Sequence, residues 1–224
     1  MPKLKKLLKF SALGIAALLI LTALGMVIWS AAGTYPARDT ALEAMQTTKM
    51  VAVTHDEWIE FKPMLETETG LIFYPGGLVE PSAYAPVLSQ IAEEGYLVLI
   101  TPMPLNLAIF NSGAAGAVIE AYPEIETWLL AGHSLGGAAA GIFAANHPEQ
   151  IDGLALWDSF PPDSADLSGT DLPALSIYGT TDGVPNTDNF DTKRPLLPEN
   201  TQCAAIEGAS HAQFGDYGPQ KGDV

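Results

Sequence analysis

Hydrophobic residues in this chain form short, nearly continuous apolar runs, and these runs alternate with segments of helical spacing. Strands that read as continuous apolar runs belong to sheets that are covered on both faces. Strands are predicted over residues 50–53, 58–62, 70–74, 96–100, 127–131, 154–157, 174–178 and 202–206, and helices over 83–94, 113–122 and 135–146. Because strands and helices alternate, the pattern predicts an α/β fold with a mostly parallel, twisted sheet and helices on both faces.

The amino terminus has a different pattern. Four lysines within the first ten residues precede a stretch without any charge, residues 10–37, most of which is apolar. About 20 apolar residues are enough to cross a bilayer as a helix, and adjacent lysines stay on the cytoplasmic side. Residues 1–33 are therefore predicted to be the anchor of a single-pass cell-membrane protein whose remaining residues lie outside the cytoplasm. The alternatives are a cleaved signal peptide, which would leave a secreted protein, and a buried helix.

The remainder of the chain divides into a short polar segment and one globular domain. Residues 34–48 are polar, rich in alanine and broken by a proline, so we expect a tether with a short helix over 39–45. The globular domain is expected over residues 49–224, a length that fits a single domain.

The composition limits the partners that this domain can have. Residues 11–224 carry 6 basic and 26 acidic side chains, a net charge of −20, and nucleic-acid binding through a basic face is thereby excluded. The single cysteine, Cys203, rules out an internal disulfide and a multi-cysteine metal site, and we expect it to pack inside its strand. The sequence does not indicate an oligomeric state.

One short motif lies between an apolar strand and a helix of small residues. Residues 132–137 read GHSLGG, which matches the G-x-S-x-G pattern in the strand–turn–helix context that gives the pattern its meaning. Such a turn projects the hydroxyl of Ser134 above the strand ends and points the first amides of the next helix at it. We predict that Ser134 is a nucleophile; the alternative is a glycine-rich turn with an idle serine.

An acid and a histidine follow the serine at the ends of later strands. Asp182 follows the strand over residues 174–178, and His211 follows the strand over 202–206. A carboxylate can orient a histidine that acts as a base, and this is the role predicted for the pair. Asp158, which also follows an apolar strand, is the competing acid and our second choice. Ordinary loop residues are the alternative for both positions.

A serine nucleophile also needs two backbone amides that stabilise the negative charge of the intermediate. The first amide is expected from Leu135, the residue after the serine. The second is expected from the glycine-rich loop after the strand over residues 70–74, where Gly77 or Leu78 would supply it. A simple type II turn is compatible with the same loop sequence.

Five segments together resemble a known family: IFYPGGLVEPSAYAP, PMPLNLAIF, AGHSLGGAAA, YGTTDG and EGASHAQFGDYGPQKGD. They are similar to α/β-hydrolases of the compact, lidless group related to dienelactone hydrolases, and to one subfamily of small, membrane-anchored bacterial hydrolases in it. The resemblance covers roughly residues 50–223 and implies that Ser134 is the nucleophile, Asp182 the acid and His211 the base.

The chain departs from that family in two respects. Dienelactone hydrolases use a cysteine nucleophile where this chain has Ser134, so their substrate is not implied. The fold also normally closes with a helix after the histidine strand, but only 13 residues follow His211. We therefore expect the C-terminal helix to be missing and one face of the sheet to be less covered.

These features predict a serine hydrolase that cleaves an ester, thioester or amide bond of a small acyl substrate through an acyl-enzyme. The link between the strands at 154–157 and 174–178 is short and polar, so no large lid is expected. No cofactor or metal is expected, because neither a metal-binding nor a nucleotide-binding motif occurs. The alternatives are an inactive membrane-anchored binding protein on the same scaffold and an acyltransferase.

Overall fold

The computed structural model describes residues 2–184 and 192–223, which belong to two units, Met1–Thr34 and Tyr35–Val224. The first unit contains one helix, α1 (Pro2–Gly33). Within it, Leu13–Gly33 has a mean hydropathy of 2.3 and is long and apolar enough to cross a membrane. Membrane anchors and signal sequences both have this length and composition.

The second unit is built on an eight-stranded sheet with the strand order β1-β2-β4-β3-β5-β6-β7-β8. The strands are β1 (Val51–His55), β2 (Ile59–Pro63), β3 (Thr69–Tyr74), β4 (Leu97–Ile100), β5 (Thr127–His133), β6 (Gly153–Trp157), β7 (Ala174–Gly179) and β8 (Gln202–Ile206). β2 pairs antiparallel with β1 and β4, and every other neighbouring pair is parallel. The mostly parallel sheet predicted from the apolar runs is confirmed.

Helices cover both faces of this sheet, as predicted. The α-helices of this unit whose two ends both lie in the described residues are α2 (Asp39–Glu43), α3 (Ala85–Glu93), α4 (Ala114–Ala121) and α5 (Leu135–Asn146). Leu88 of α3 belongs to the core on one face, together with Phe73. Phe143 of α5 belongs to the core on the other face, together with Ile72. Adjacent residues of β3 thus face opposite cores, which explains why this strand is apolar at consecutive positions.

Small residues bring α5 close to the segment that follows β6. A Cβ on Gly141 would lie 2.8 Å from Cβ of Pro161, so the helix could not pack this closely with a larger side chain there. The link from β6 to β7 contains no helix, in agreement with the prediction that no large lid is inserted there.

The segment predicted as a tether is part of the folded unit from Tyr35 onwards. Tyr35 forms an isolated bridge with Val79, Ala41 of α2 is fully buried, and the Arg38 amide donates to the Asp216 carbonyl at 2.9 Å. The polar composition of the segment did not reveal these contacts, because their partners, such as Val79 and Asp216, lie far away in the sequence.

The last strand corrects one further expectation. All five residues of β8 are exposed, and Cys203 is exposed rather than packed inside the strand. After β8, the described residues form the short 3₁₀ turn His211–Phe214 and no longer helix. The apolar sequence of β8 predicted a strand correctly, but burial depends on what lies against the strand.

Candidate active site

Ser134 occupies the single position between the end of β5 and the start of α5. Its backbone angles, φ 53° and ψ −123°, lie in a region that residues other than glycine rarely adopt. Two neighbours hold the backbone there: the Ser134 amide donates to the Trp157 carbonyl at 3.0 Å, and the Ser134 carbonyl accepts from Ser159 Oγ at 2.6 Å. The strained turn is therefore stabilised by β6 and by the residues that follow it.

The glycines of the motif are required by close backbone packing. A Cβ on Gly132 would lie 2.5 Å from the carbonyl carbon of Gly136, and a Cβ on Gly136 would lie 2.1 Å from the Tyr74 carbonyl oxygen. Side chains at either position would push α5 away from β3 and β5. The G-x-S-x-G pattern is thus explained by the geometry of this turn.

Asp158 and Asp182, which were alternative acids in the sequence, both face the imidazole of His211. Nδ1 of His211 lies 3.0 Å from Oδ2 of Asp182 and 3.7 Å from Oδ2 of Asp158. The contact with Asp182 is short enough for a hydrogen bond, whereas the contact with Asp158 is within ion-pair range only. All three side chains are buried. They meet because β6, β7 and β8 are parallel neighbours that end at the same edge of the sheet.

The backbone of His211 is held by a residue that sequence analysis did not identify. The Asp223 carboxylate accepts hydrogen bonds from the amides of His211, at 3.1 Å, and Ala212, at 2.7 Å. Ser210 and Gln213 add a reciprocal capping box around the same turn. Asp223 lies in a polar, glycine-rich segment without periodicity, so no sequence signal distinguished it.

His133, the variable residue of the motif before the serine, lies fully buried behind the turn. Its Nδ1 is 2.8 Å from the Tyr84 hydroxyl, which also accepts a hydrogen bond from the Gly76 amide at 3.0 Å. Its ring centroid is 4.5 Å from that of His211, and the ring stacks on Phe214. Burial, together with the nearby His211, holds the pKa of His133 well below its usual range, so this ring is neutral at physiological pH.

In the loop after β3, the backbone amides of Gly76, Gly77 and Leu78 are candidate donors to an oxyanion, and two of them already have acceptors. The Gly76 amide donates to Tyr84, and the Leu78 amide donates to the Asn106 carbonyl at 2.7 Å. Leu78 is therefore not free to stabilise an oxyanion, and Gly77 is left as the candidate in this loop. Gly77 lies against Leu135, since a Cβ on Gly77 would be 3.0 Å from Leu135 Cδ2. As the first residue of α5, Leu135 has an amide without a partner inside the helix.

The second imidazole nitrogen of His211 is oriented away from the acids. Nε2 is buried and, within the described parts of the chain, has no hydrogen-bond partner. The hydrogen bond from Ser134 Oγ to this nitrogen is thus not formed in this structure. The ring contact between His211 and His133, the residue before Ser134, nevertheless brings the base next to the turn.

Burial and the two acids act on His211 in opposite directions. Burial lowers the pKa of His211, but the close contact with Asp158, the hydrogen bond with Asp182 and the negative charges of both acids outweigh it and raise this pKa to about 9. Burial raises the pKa of Asp158, while the interaction with His211 opposes the shift. Asp158, Asp182 and His211 also have ligand atoms within 4.8 Å of one another, a spacing that could hold a metal ion. The expectation that no metal takes part stays a prediction.

Solved structures with similar folds include several enzymes. MGS-MChE2, an alpha/beta hydrolase from the metagenome of sediments of the Mar Chica lagoon in Morocco, is 19% identical, with a TM-score of 0.60 over 75% of this chain and 91% of that chain. A membrane phospholipase A, described as a bacterial virulence factor, is 16% identical, with a TM-score of 0.61 over 93% of this chain and 94% of that chain. Est1E from Butyrivibrio proteoclasticus is 14% identical, with a TM-score of 0.53 over 73% of this chain and 90% of that chain.

At these identities the likeness shows a common fold. No curated protein matches the sequence. A family model described as "Alpha/beta hydrolase family" matches residues 70–224, which contain the sheet from β3 onwards, the strained serine and the buried histidine with its two acids. The chain is a hydrolase that belongs to the alpha/beta hydrolase family.

Proposed function

We propose that this protein is a serine hydrolase that cleaves an ester, thioester or amide bond of a small acyl substrate. The observation that carries the proposal is the 3.0 Å hydrogen bond between His211 Nδ1 and Asp182, at the edge of the sheet where Ser134 occupies its strained turn. A serine, a base and an acid at the ends of parallel strands are the requirements of acyl transfer through a Ser-His-Asp triad.

In the proposed mechanism, Ser134 Oγ attacks the carbonyl carbon of the substrate while Nε2 of His211 takes its proton. Asp182 holds the imidazole through Nδ1 and stabilises its protonated form. The amides of Leu135 and Gly77 stabilise the negative charge on the carbonyl oxygen. Collapse of this intermediate breaks the bond to the leaving group, which receives the proton from His211. Water then cleaves the acyl-enzyme by the same route in reverse.

Two features support a small or open acyl site. The link from β6 to β7 contains no helix that could cover the site. The loop after β3 is held close to the start of α5 by Gly77, which favours a compact carbonyl site. A panel of p-nitrophenyl esters of increasing chain length is expected to show a preference for short acyl groups.

A fluorophosphonate probe tests the proposal directly, because it forms a covalent bond with an activated serine. The full chain in detergent is expected to be labelled, and peptide mapping is expected to locate the label on Ser134. Ser134→Ala should abolish labelling, whereas Ser168→Ala, a change at an exposed serine, should not affect it. Labelling at another residue, or ester turnover that survives in Ser134→Ala, would contradict the proposal.

We also propose that α1 anchors the protein in the cell membrane, with the catalytic unit outside the cytoplasm. The support is the apolar segment Leu13–Gly33, preceded by four lysines that favour a cytoplasmic amino terminus. The net charge of −20 on residues 11–224 gives the catalytic unit no attraction to anionic lipids. Attachment would therefore rest on the helix.

A further inference from the structure

We propose that Asp158 is a second positioning acid for His211, and that with Asp182 it keeps the imidazole protonated in the resting enzyme at neutral pH. The base would then become available only in the alkaline range. The proposal rests on the serine-hydrolase function proposed above, and it adds a residue that a three-membered triad does not need.

The first support is the placement of the Asp158 carboxylate. It is 4% exposed, and its Oδ2 is 3.7 Å from Nδ1 of His211. Within the described residues this oxygen has no hydrogen-bond partner, while Oδ1 accepts from the Gly179 amide at 3.1 Å. A buried carboxylate oxygen without a hydrogen bond is unfavourable unless a positive charge lies close to it. The imidazole of His211 is the group that can supply that charge.

The second support is the rigid and strained backbone of Asp158. Its φ of 43° lies in the left-handed region, which aspartate and asparagine tolerate better than most residues. Its amide donates to the Ile177 carbonyl at 2.7 Å, so the turn is tied to β7. The side chain is thus held towards His211 by its backbone and by the bond to Gly179, and it does not depend on the imidazole for its position.

The third support is the charge balance around His211. Among the described residues, the titratable groups that face His211 or the two acids are Asp158 after β6, Asp182 after β7, His133 in β5, and Asp223 and Tyr217 in the C-terminal segment. Among these groups only the two histidines can be cations, and burial keeps His133 neutral. With His211 neutral, two ionised carboxylates would share a buried site without compensation. Protonation of His211 removes part of this cost, which agrees with its raised pKa of about 9.

This arrangement has a consequence for the pH dependence of catalysis. A protonated imidazole cannot take the proton of Ser134, so the reactive form accumulates only as pH rises towards the pKa of His211. Replacing Asp158 by the isosteric asparagine removes one negative charge beside the ring. The base would then be free at lower pH, and the variant would be more active than the natural enzyme near neutral pH.

The kinetic test compares kcat/KM for p-nitrophenyl acetate between about pH 6 and about pH 10, with the full chain in detergent. In Asp158→Asn the acid limb of the profile should move down by about one pH unit or more, as expected for loss of an opposite charge within about 4 Å. The matched control is Asp56→Asn, an exposed position near β1 at the other side of the sheet, and its limb should not move.

A second measurement does not depend on turnover. With ¹⁵N-labelled histidine, NMR titration reports the protonation of His211, assigned by the loss of its signals in His211→Gln. The pKa of His211 should fall in Asp158→Asn; equal values in the natural and variant proteins would overturn the proposal even if the enzyme is active. If the natural protein shows no ester turnover and no serine labelling, the hydrolase proposal fails, and the titration still measures the effect of Asp158.

A second variant covers the case in which Asp158→Asn does not fold, as judged by circular dichroism. Asp158→Gly removes the same charge, and glycine adopts the positive φ of 43° without strain. It should lower the pKa of His211 in the same direction. An unchanged pKa in this variant also overturns the proposal.

Discussion

The hydroxyl of Tyr84 lies 2.8 Å from Nδ1 of His133 and links the turn of the candidate nucleophile to the loop after β3. This hydroxyl accepts a hydrogen bond from the Gly76 amide, and its own proton is available for the contact with Nδ1. This chain of hydrogen bonds fixes Gly76, and with it the neighbouring amide of Gly77, relative to Ser134.

Tyr84→Phe should therefore impair the oxyanion site without unfolding the protein. We expect kcat for an ester substrate to fall about tenfold, with a smaller change in KM, because a misplaced amide stabilises the intermediate less well. Tyr96→Phe, at an exposed tyrosine, is the matched control and should retain activity. An unchanged kcat in Tyr84→Phe would show that the link has no catalytic role.

Ser134 is the proposed nucleophile and also has a strained backbone. The substitutions Ser134→Ala and Ser134→Gly distinguish the loss of the hydroxyl from the relief of this strain. Both Ser134→Ala and Ser134→Gly should lower kcat by a factor on the order of 10³ or more. Only glycine adopts φ 53° and ψ −123° without strain, so Ser134→Gly should raise the free energy of unfolding above that of Ser134→Ala by about 1 kcal/mol. Urea unfolding measures the difference, and equal stabilities would argue against strain at this position.

The two acids should differ in their effect on the rate. Asp182→Asn removes the negative charge from the 3.0 Å hydrogen bond to His211 and no longer stabilises the protonated ring, so kcat at alkaline pH should fall by about 10²–10⁴. Asp158→Asn should change kcat at alkaline pH only slightly, because its oxygen is 3.7 Å from the ring. The double variant should lose more than Asp182→Asn alone, since neither carboxylate remains to orient the imidazole. The reverse ranking of the single variants would make Asp158 the principal acid.

The raised pKa of His211 predicts how stability depends on pH. The folded protein holds this proton up to about pH 9, whereas an ordinary histidine releases it near 6.5. The stabilisation is therefore fully present below about pH 6.5 and is lost as pH rises through 9. The free energy of unfolding should fall across this window, and His211→Gln should remove the decline. A natural protein whose stability is constant over the window would be inconsistent with the raised pKa.

The anchor proposal predicts behaviour in membrane fractionation. The full chain should resist extraction by high salt and by carbonate and should be released by detergent, because about 20 apolar residues are buried in the bilayer. Leu18→Arg combined with Leu21→Arg places two charges in the span and should release the protein or prevent its insertion. Mass spectrometry of the amino terminus is the control. A soluble chain that begins near Gly33 would replace the anchor by a cleaved signal peptide.

Local sequence determined the elements of this fold and the position of the candidate nucleophile. α5 spans Leu135–Asn146 as predicted. Its small residues allow the helix to lie close to the sheet. β5 continues to His133, two residues past the prediction, since an apolar run does not mark where strand pairing ends. The G-x-S-x-G pattern identified the turn at Ser134 because Gly132 is needed by a contact inside the turn, with Gly136, although Gly136 itself lies against Tyr74 of β3.

Contacts between distant segments were decided by the tertiary structure alone. Asp158 and Asp182 were alternatives in sequence, and both face His211 because parallel pairing of β6, β7 and β8 brings three strand ends together. Leu78 and Gly77 were equal candidates in the sequence, and the hydrogen bond from the Leu78 amide to the Asn106 carbonyl leaves Gly77. Cys203 lies in an apolar run but is exposed. A sequence pattern reports the local periodicity of a segment, whereas burial, partner choice and charge balance depend on which other segments the fold places beside it.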